Sequence, residues 1–350
     1  MSKRMAKRMR DENFVFPLTF PQELLASIVW LSRPMQKLYL CPLEWRQLQN
    51  CSLVCATFYQ AMRTALEREK FGLVLSEDGN RPHCIETTQW LLRHAYRLLI
   101  FFDAFADNSL GALELPRLRT LEWVLGQQPL PLVLPALETC RIIGRSNSIA
   151  LPPALARWTT LKSLKLNIPL KNLSPLAKLT RLENLVIENA LSEGIEWPMM
   201  TCLEGLDLRQ CSGRFTLPAF PSLRTLCLPN RISTVTCSPG LLCNVEKLET
   251  HQNLRWQELG QLIRLHIDVQ RLPLAVPYLF RLSSLILCGN GKLAPKILTR
   301  LPCLTALKLD NCRDVEEGDL KGLSSLTYLR ILPITKIPAS FSLPGVRIDL

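Results

Sequence analysis

From near residue 95 to the last residues, apolar side chains occupy the first, fourth and sixth places of a recurring six-residue frame, and polar or small residues fill the places between. The clearest copy runs Leu161-Lys162-Ser163-Leu164-Lys165-Leu166, and equally clean ones begin at Leu182, Leu203, Leu223, Leu282 and Leu304. Looser copies begin at Ala95, Leu118, Leu137, Val245, Leu262, Leu326 and Val346, so the frame returns about every 21 residues. Apolar residues two apart have the period of a strand. Each frame therefore predicts one short strand, with its first, fourth and sixth side chains directed into a core and its third, fifth and seventh facing solvent. One such unit cannot close a core alone, but stacked copies share a continuous one, with all their strands parallel. Prolines recur between the frames, among them Pro129, Pro131, Pro152, Pro153, Pro175, Pro221 and Pro302, so the opposite wall is expected to hold short helical turns and extended segments rather than long helices.

Period and frame together resemble the leucine-rich repeat family, which implies a solenoid with a parallel β-sheet arc and a binding role. Cys211 and Cys312 fall where such repeats carry Asn or Cys after the strand, and Asn290 does so in a third copy. Each buried frame leucine is expected to contribute about 1.5–3 kcal/mol by area, which makes the frame architecture and leaves function to the residues between.

Residues 20–71 follow another pattern. Pro21 stands at a helix start, and Leu24, Leu25, Ile28 and Leu31 make one apolar face at helical spacing; further helices are predicted from about Leu43 to Asn50 and from about Ser52 to Glu69. Phe20-Pro21-Gln22-Glu23-Leu24-Leu25, then Ile28, and later Leu48, Cys51-Ser52-Leu53-Val54-Cys55 and Phe58-Tyr59 resemble an F-box, with Phe71 in the last aromatic place. Leu31 to Leu48 is about a dozen residues longer than that family's spacing and is expected to be a loop between helices, where added length costs little. The resemblance implies that Pro21, Leu24, Leu25, Ile28, Leu53, Val54 and Phe58 dock a Skp-type linker carried by a cullin scaffold. The chain would then be the substrate-recognition adaptor of an SCF-type ubiquitin ligase, its repeats holding a target protein. The alternative is a leucine-rich repeat scaffold whose N-terminal helices only cap the first coil.

The resulting organisation is α/β: a basic tail over 1–19, a three-helix F-box-like module over 20–71, a linker and capping helix over 72–94, with a helix from Glu86 to Arg97, and a solenoid of about twelve to thirteen coils over 95–350. No run of 18 apolar residues is present to cross a bilayer as a helix. With no secretory signal either, the expected compartment is the cytoplasm, the nucleus or both. The 13 cysteines are dispersed without Cys-x-x-Cys spacing and read as reduced, buried thiols; the four histidines are not grouped with them as metal ligands. The net charge of +12 hints at an anionic partner, but Lys3, Arg4, Lys7, Arg8 and Arg10 concentrate it in the tail, and aromatics are too few for a nucleic-acid groove.

Catalysis has no sequence support: there is no phosphate-binding loop, no nucleophile elbow, no zinc-protease motif and no cysteine with an evident histidine partner. No cofactor, metal or small-molecule substrate is expected. The candidate target-binding surface is the concave strand face. Its basic track is Arg141, Lys165 and Arg209; its densest cluster is Lys247, Glu249, His251, Arg264, His266 and Asp268, on frames spaced by only 17 residues; Lys308, Tyr328 and Arg330 extend it. Mixed charges of this kind suit a protein ligand steered by complementary charge.

Overall fold

The computed structural model describes residues 39–40, 72–75, 95–101, 113–124, 132–144, 151, 153–189, 191, 193–229, 234–251, 254–268, 272–289, 296–312, 317–320, 322–332, 343 and 345–349. The chain divides into two compact units, Met1–Cys140 and Arg141–Leu350.

In the first unit, β1 (Tyr39–Leu40), β2 (Gly72–Leu75) and β3 (Arg97–Phe101) pair in parallel, followed by β5 (Thr120–Val124). The register aligns Leu40 with Leu73, Leu73 with Leu98 and Leu98 with Leu121, so the fourth frame position forms a row. On the other wall, β4 (Leu113–Glu114) pairs in parallel with β6 (Leu132–Val133). Ala95, Leu98, Leu118, Leu121, Leu137 and Cys140 are buried, as the frame requires. Three expectations change here. Parallel strands begin at Tyr39, inside the stretch expected to be a helix-connecting loop; Gly72–Leu75 is a strand rather than linker; and Arg97 opens β3 instead of closing a helix. The linker-docking residues Pro21, Leu24, Leu25, Ile28, Leu53, Val54 and Phe58, the tail 1–19 and the helical spans assigned within 20–71 lie outside the described residues.

The unit boundary falls within β7 (Thr139–Ile143). The second unit is a parallel β-solenoid. Its sheet runs in the order β8 (Ser163–Asn167), β9 (Asn184–Ile187), β10 (Gly205–Asp207), β12 (Thr225–Cys227), β14 (Lys247–Thr250), β15 (Arg264–Asp268), β16 (Ser284–Cys288), β17 (Ala306–Asp310), β18 (Tyr328–Ile331) and β19 (Arg347–Asp349), each strand parallel to the next. The skipped numbers belong to a second small sheet on the back wall, β11 (Arg214–Leu217) with β13 (Thr234–Cys237). Elsewhere that wall is short: 3-10 turns at Pro153–Arg157, Ser174–Lys178, Trp256–Glu258, Val276–Tyr278 and Leu298–Arg300, and single helical turns α1 (Leu272–Ala275) and α2 (Glu317–Leu320). Proline stands in the first turn of several of these, where its missing N–H costs nothing. No helix among the described residues is long and apolar enough to cross a membrane.

Every coil enters its strand by the same turn. The N–H of the first frame residue donates to the carbonyl three residues earlier: Leu161 to Trp158, Leu182 to Leu179, Leu203 to Met200, Leu223 to Phe220, Val245 to Leu242, Leu262 to Leu259, Leu282 to Leu279 and Leu304 to Leu301, at 3.0–3.4 Å. The carbonyl-bearing residue is itself apolar and buried in each of these coils. The structural repeat is therefore longer than the frame by one apolar position. Its extra side chain fills the core beneath the turn while the backbone bond satisfies groups that burial would otherwise orphan. Post-strand cysteines serve the same end: the Cys211 thiol donates to the Ile187 carbonyl at 3.0 Å and the Cys312 thiol to that of Leu287 at 3.5 Å, the same sixth-position carbonyl of the preceding coil in both places. Burial pushes the Cys211 thiol up to about 12 and that of Cys312 up to about 11, so both stay protonated donors.

Candidate functional site: the solvent face of the second-unit sheet

In a parallel sheet whose strands pair without slippage, equivalent positions line up across the strands. The fifth frame positions of the second unit read Lys165, Val186, Asp207, Cys227, Glu249, His266, Ile286, Lys308 and Arg330, each the register partner of the next. Buried neighbours on either side of each one, leucine or isoleucine except for Thr250 after Glu249, fix its direction. What remains is a mainly polar and charged row, interrupted by Val186 and Ile286, held at strand spacing.

The centre of that row is an ionic network on β10, β14 and β15. Arg209 is bound by Asp207 at 2.7 Å and reaches Glu249 at 3.4 Å; Glu249 receives His266 Nδ1 at 3.2 Å. Asp207 also accepts from the Arg209 backbone N–H at 3.0 Å, so the strand end itself presents the guanidinium. Burial raises the Asp207 carboxyl, but the Arg209 hydrogen bonds and charge outweigh it and hold the group below its usual range. Glu249 is likewise held down, first by its hydrogen bond with His266. His266 is pushed up to about 9, first by hydrogen bonding with Cys288 and then with Glu249, against burial, and is therefore an imidazolium at neutral pH. Its ring also meets that of His251 edge-on, centroids 6.1 Å apart. Between the two carboxylates, burial and then the Asp207 and Glu249 charges push the Cys227 thiol up to about 11.

The remaining candidates fall into three groups. Lys165 is paired with Glu188 at 2.7 Å and Arg209 with two carboxylates, so those members of the basic track are neutralised locally; Arg141 is half-buried in β7. Lys247 and Arg264 are exposed register partners, as are half-buried Lys308 and exposed Arg330, while Tyr328 donates its hydroxyl to Asp349 at 2.8 Å. Asp268 does not belong to the solvent face: it is 3% exposed. The cause lies opposite, at Gly289, whose φ of +102° and lack of a side chain leave space that the Asp268 carboxylate occupies, 3.2–3.4 Å from where a Cβ would stand. His266 accordingly pairs with Glu249 across strands rather than with Asp268 along its own.

The cysteines also divide differently from the expectation of uniformly buried thiols. Cys140, Cys211, Cys237 and Cys312 are buried, but Cys202, Cys243 and Cys303 are exposed, and Cys227 and Cys288 stand half-buried on the solvent face. Among the described residues no group of three His, Cys, Asp or Glu is placed to hold a metal ion. The surface can hold and orient a ligand through charge and hydrogen bonds on a rigid ladder.

No protein-family model matches the chain, and no curated protein matches it. Among solved structures, an internalin from Listeria monocytogenes aligns with 75% of this chain and 62% of its own at 15% identity and a TM-score of 0.25, so this chain spans less than two thirds of that protein's length. Internalin C2 from the same bacterium aligns with 70% of this chain and 84% of its own, at 16% identity and a TM-score of 0.22.

Proposed function

We propose that this chain is a non-catalytic protein-binding scaffold whose partner seats on the solvent face of the second-unit sheet between β10 and β18. The observation that carries this reading is the unbroken register of the fifth-position row, which presents Asp207, Glu249, His266, Lys308 and Arg330 from a backbone ladder already fixed by the core. Side chains ordered before binding lose little entropy on complex formation, and their mixed charge favours a charge-complementary protein surface over a featureless polyanion. The test is affinity capture with the full chain, identification of the bound protein, and titration of that purified partner. Replacing Lys247, Arg264, Lys308 and Arg330 by Glu together should weaken binding at least tenfold, whereas Arg157, Lys178 and Arg300 to Glu on the back wall should leave it unchanged. Equal loss from both sets would refute the assignment of the face.

The finer reading is that the scaffold delivers its partner to an SCF-type ubiquitin ligase in the cytoplasm or nucleus, with residues 20–71 docking a Skp-type linker on a cullin. Its support is the spacing of Pro21, Leu24, Leu25, Ile28, Leu53, Val54 and Phe58. Such an adaptor needs no catalytic residue, because tethering alone raises the effective concentration of the target. Purified Skp-type linker should bind the intact chain and lose binding to Leu25→Asp; no binding by the intact chain would refute this reading and leave the scaffold standing.

A further inference from the structure

Charge is spread unevenly along the solvent face of the second-unit sheet. From β8 to β12 the cations of that face are paired: Lys165 is bound by Glu188, and Arg209 by Asp207 and Glu249. From β14 to β18 four cations stay uncommitted. Among the described residues Lys247, Arg264, Lys308 and Arg330 make no ion pair. Lys247 and Arg264 are third-position register partners on β14 and β15, and Lys308 and Arg330 are fifth-position partners on β17 and β18. Like charges set side by side on neighbouring strands repel each other, and a carboxylate seated between them relieves that repulsion. The strand between the two pairs is β16. What it and β17 present there is short or apolar: Ser284, Ile286 and Ala306, all half-buried.

We infer that this part of the face is a two-point clamp for an extended acidic segment of a protein partner, which crosses the strands diagonally with an acidic group at each cationic pair and an apolar side chain over Ser284, Ile286 and Ala306. It rests on the reading of this face as the partner's seat and adds the chemistry that the partner must bring. The sheet sets the spacing. Three strand intervals separate the centres of the two pairs, about 14 Å, and the step from third to fifth position shifts them about 7 Å along the strands. The diagonal is about 16 Å, or about five residues of extended chain. Its midpoint falls on β16 between Ser284 and Ile286. The carboxylates around this track are engaged or lie at its margin: Glu249 holds Arg209 and His266, Asp349 holds Tyr328 and Arg347, and Asp310 stands two residues beyond Lys308 on β17. The chain's own first ten residues carry Lys3, Arg4, Lys7, Arg8 and Arg10, so their charge has the wrong sign to occupy it.

The probe is an end-blocked heptapeptide, Glu-Glu-Ser-Leu-Ser-Glu-Glu, carrying a neutral dye and titrated with the full chain at low salt. Its isomer Ser-Leu-Glu-Glu-Glu-Glu-Ser has the same composition with all the charge at one centre. The spaced peptide should bind about fivefold more tightly, the difference expected when two of four exposed ion pairs cannot form. Lys308→Gln with Arg330→Gln should erase that advantage, and so should Lys247→Gln with Arg264→Gln; two variants on different coils keep the test independent of the fold of either one. Lys165→Gln, at a lysine already paired, should change neither affinity. Equal binding of the two isomers by the native chain would mean attraction of any polyanion and would overturn the clamp. Self-association of the chain that is lost in Lys308→Gln with Arg330→Gln would make the occupant a second copy and overturn it too. If a captured protein partner loses affinity when Lys247, Arg264, Lys308 and Arg330 are all replaced by Glu, yet the two peptides bind alike, the clamp fails and the face stands. If that partner is indifferent to the replacement while the spaced peptide keeps its advantage, the seating of the partner fails and the clamp stands.

Discussion

Replacing Leu185 by alanine tests the repeat at a fully enclosed point. Leu185 is the fourth-position residue of β9 and is 0% exposed; its register partners are Leu164 on one side and Leu206 on the other, themselves 0% and 1% exposed. The lost methylenes remove roughly 2–3 kcal/mol of transfer energy. The cavity adds to this, because strands locked in two ladders cannot close over it, and the total becomes about 3–5 kcal/mol. Val186→Ala, one residue along on the solvent face, removes similar atoms from a half-exposed position and should cost under about 1 kcal/mol. Because repeat arrays unfold in segments, the assay is native-state hydrogen exchange read coil by coil together with urea denaturation. The Leu185 variant should lose protection across β8, β9 and β10 first. A cost below about 1 kcal/mol, or equal effects of the two variants, would mean that the frame does not carry the core as argued.

Gly213→Ala should destabilise the second unit by more than the 1–3 kcal/mol or so of backbone strain alone, since φ is +123° and the new Cβ would lie 2.6 Å from the Leu191 carbonyl oxygen; Gly194→Ala, at φ +71° with nothing within 4 Å, should cost the strain only. Comparing the two urea midpoints separates clash from conformation. The pH dependence of stability should carry a His266 contribution: its folded value, about 9, lies above the ordinary 6.5, so the stabilisation is complete below pH 6.5 and is lost as pH rises to 9. Thermal midpoints of the native chain should therefore approach those of His266→Gln across that interval, and a constant difference between them would contradict the pairing. Gly289→Ala should push on the Asp268 carboxylate and be read as a lower midpoint than that of Gly194→Ala.

The strands, their parallel stacking and the short back wall were legible because a leucine-based frame constrains period and sidedness at once. Leu164, Leu166, Leu206, Leu208, Leu285 and Leu287 are buried where the frame put them. What the frame hid was the apolar residue three places before it. Trp158, Met200 and Phe220 vary in type, so they escape a search for leucine although they perform the same turn-closing task. The strands Tyr39–Leu40 and Gly72–Leu75 were hidden by the helical reading of their surroundings, and two to four residues carry too little pattern to compete with it.

The site was legible as a list of positions and illegible as a set of pairings. Seventh-position residues stand at the strand end, where the chain is turning away from the ladder, so their side is decided by what lies opposite. Val124 and Pro229 turn in, Arg209 turns out, and Asp268 turns in because Gly289 leaves room. Fifth-position residues have no such freedom, and a row written down the frame from Lys165 to Arg330 already contains the Glu249–His266 pair. His266 and Asp268 lie on one strand, but on a strand side chains two apart stand about 7 Å from each other, whereas register partners on adjacent strands stand about 5 Å apart. The shorter distance selects Glu249.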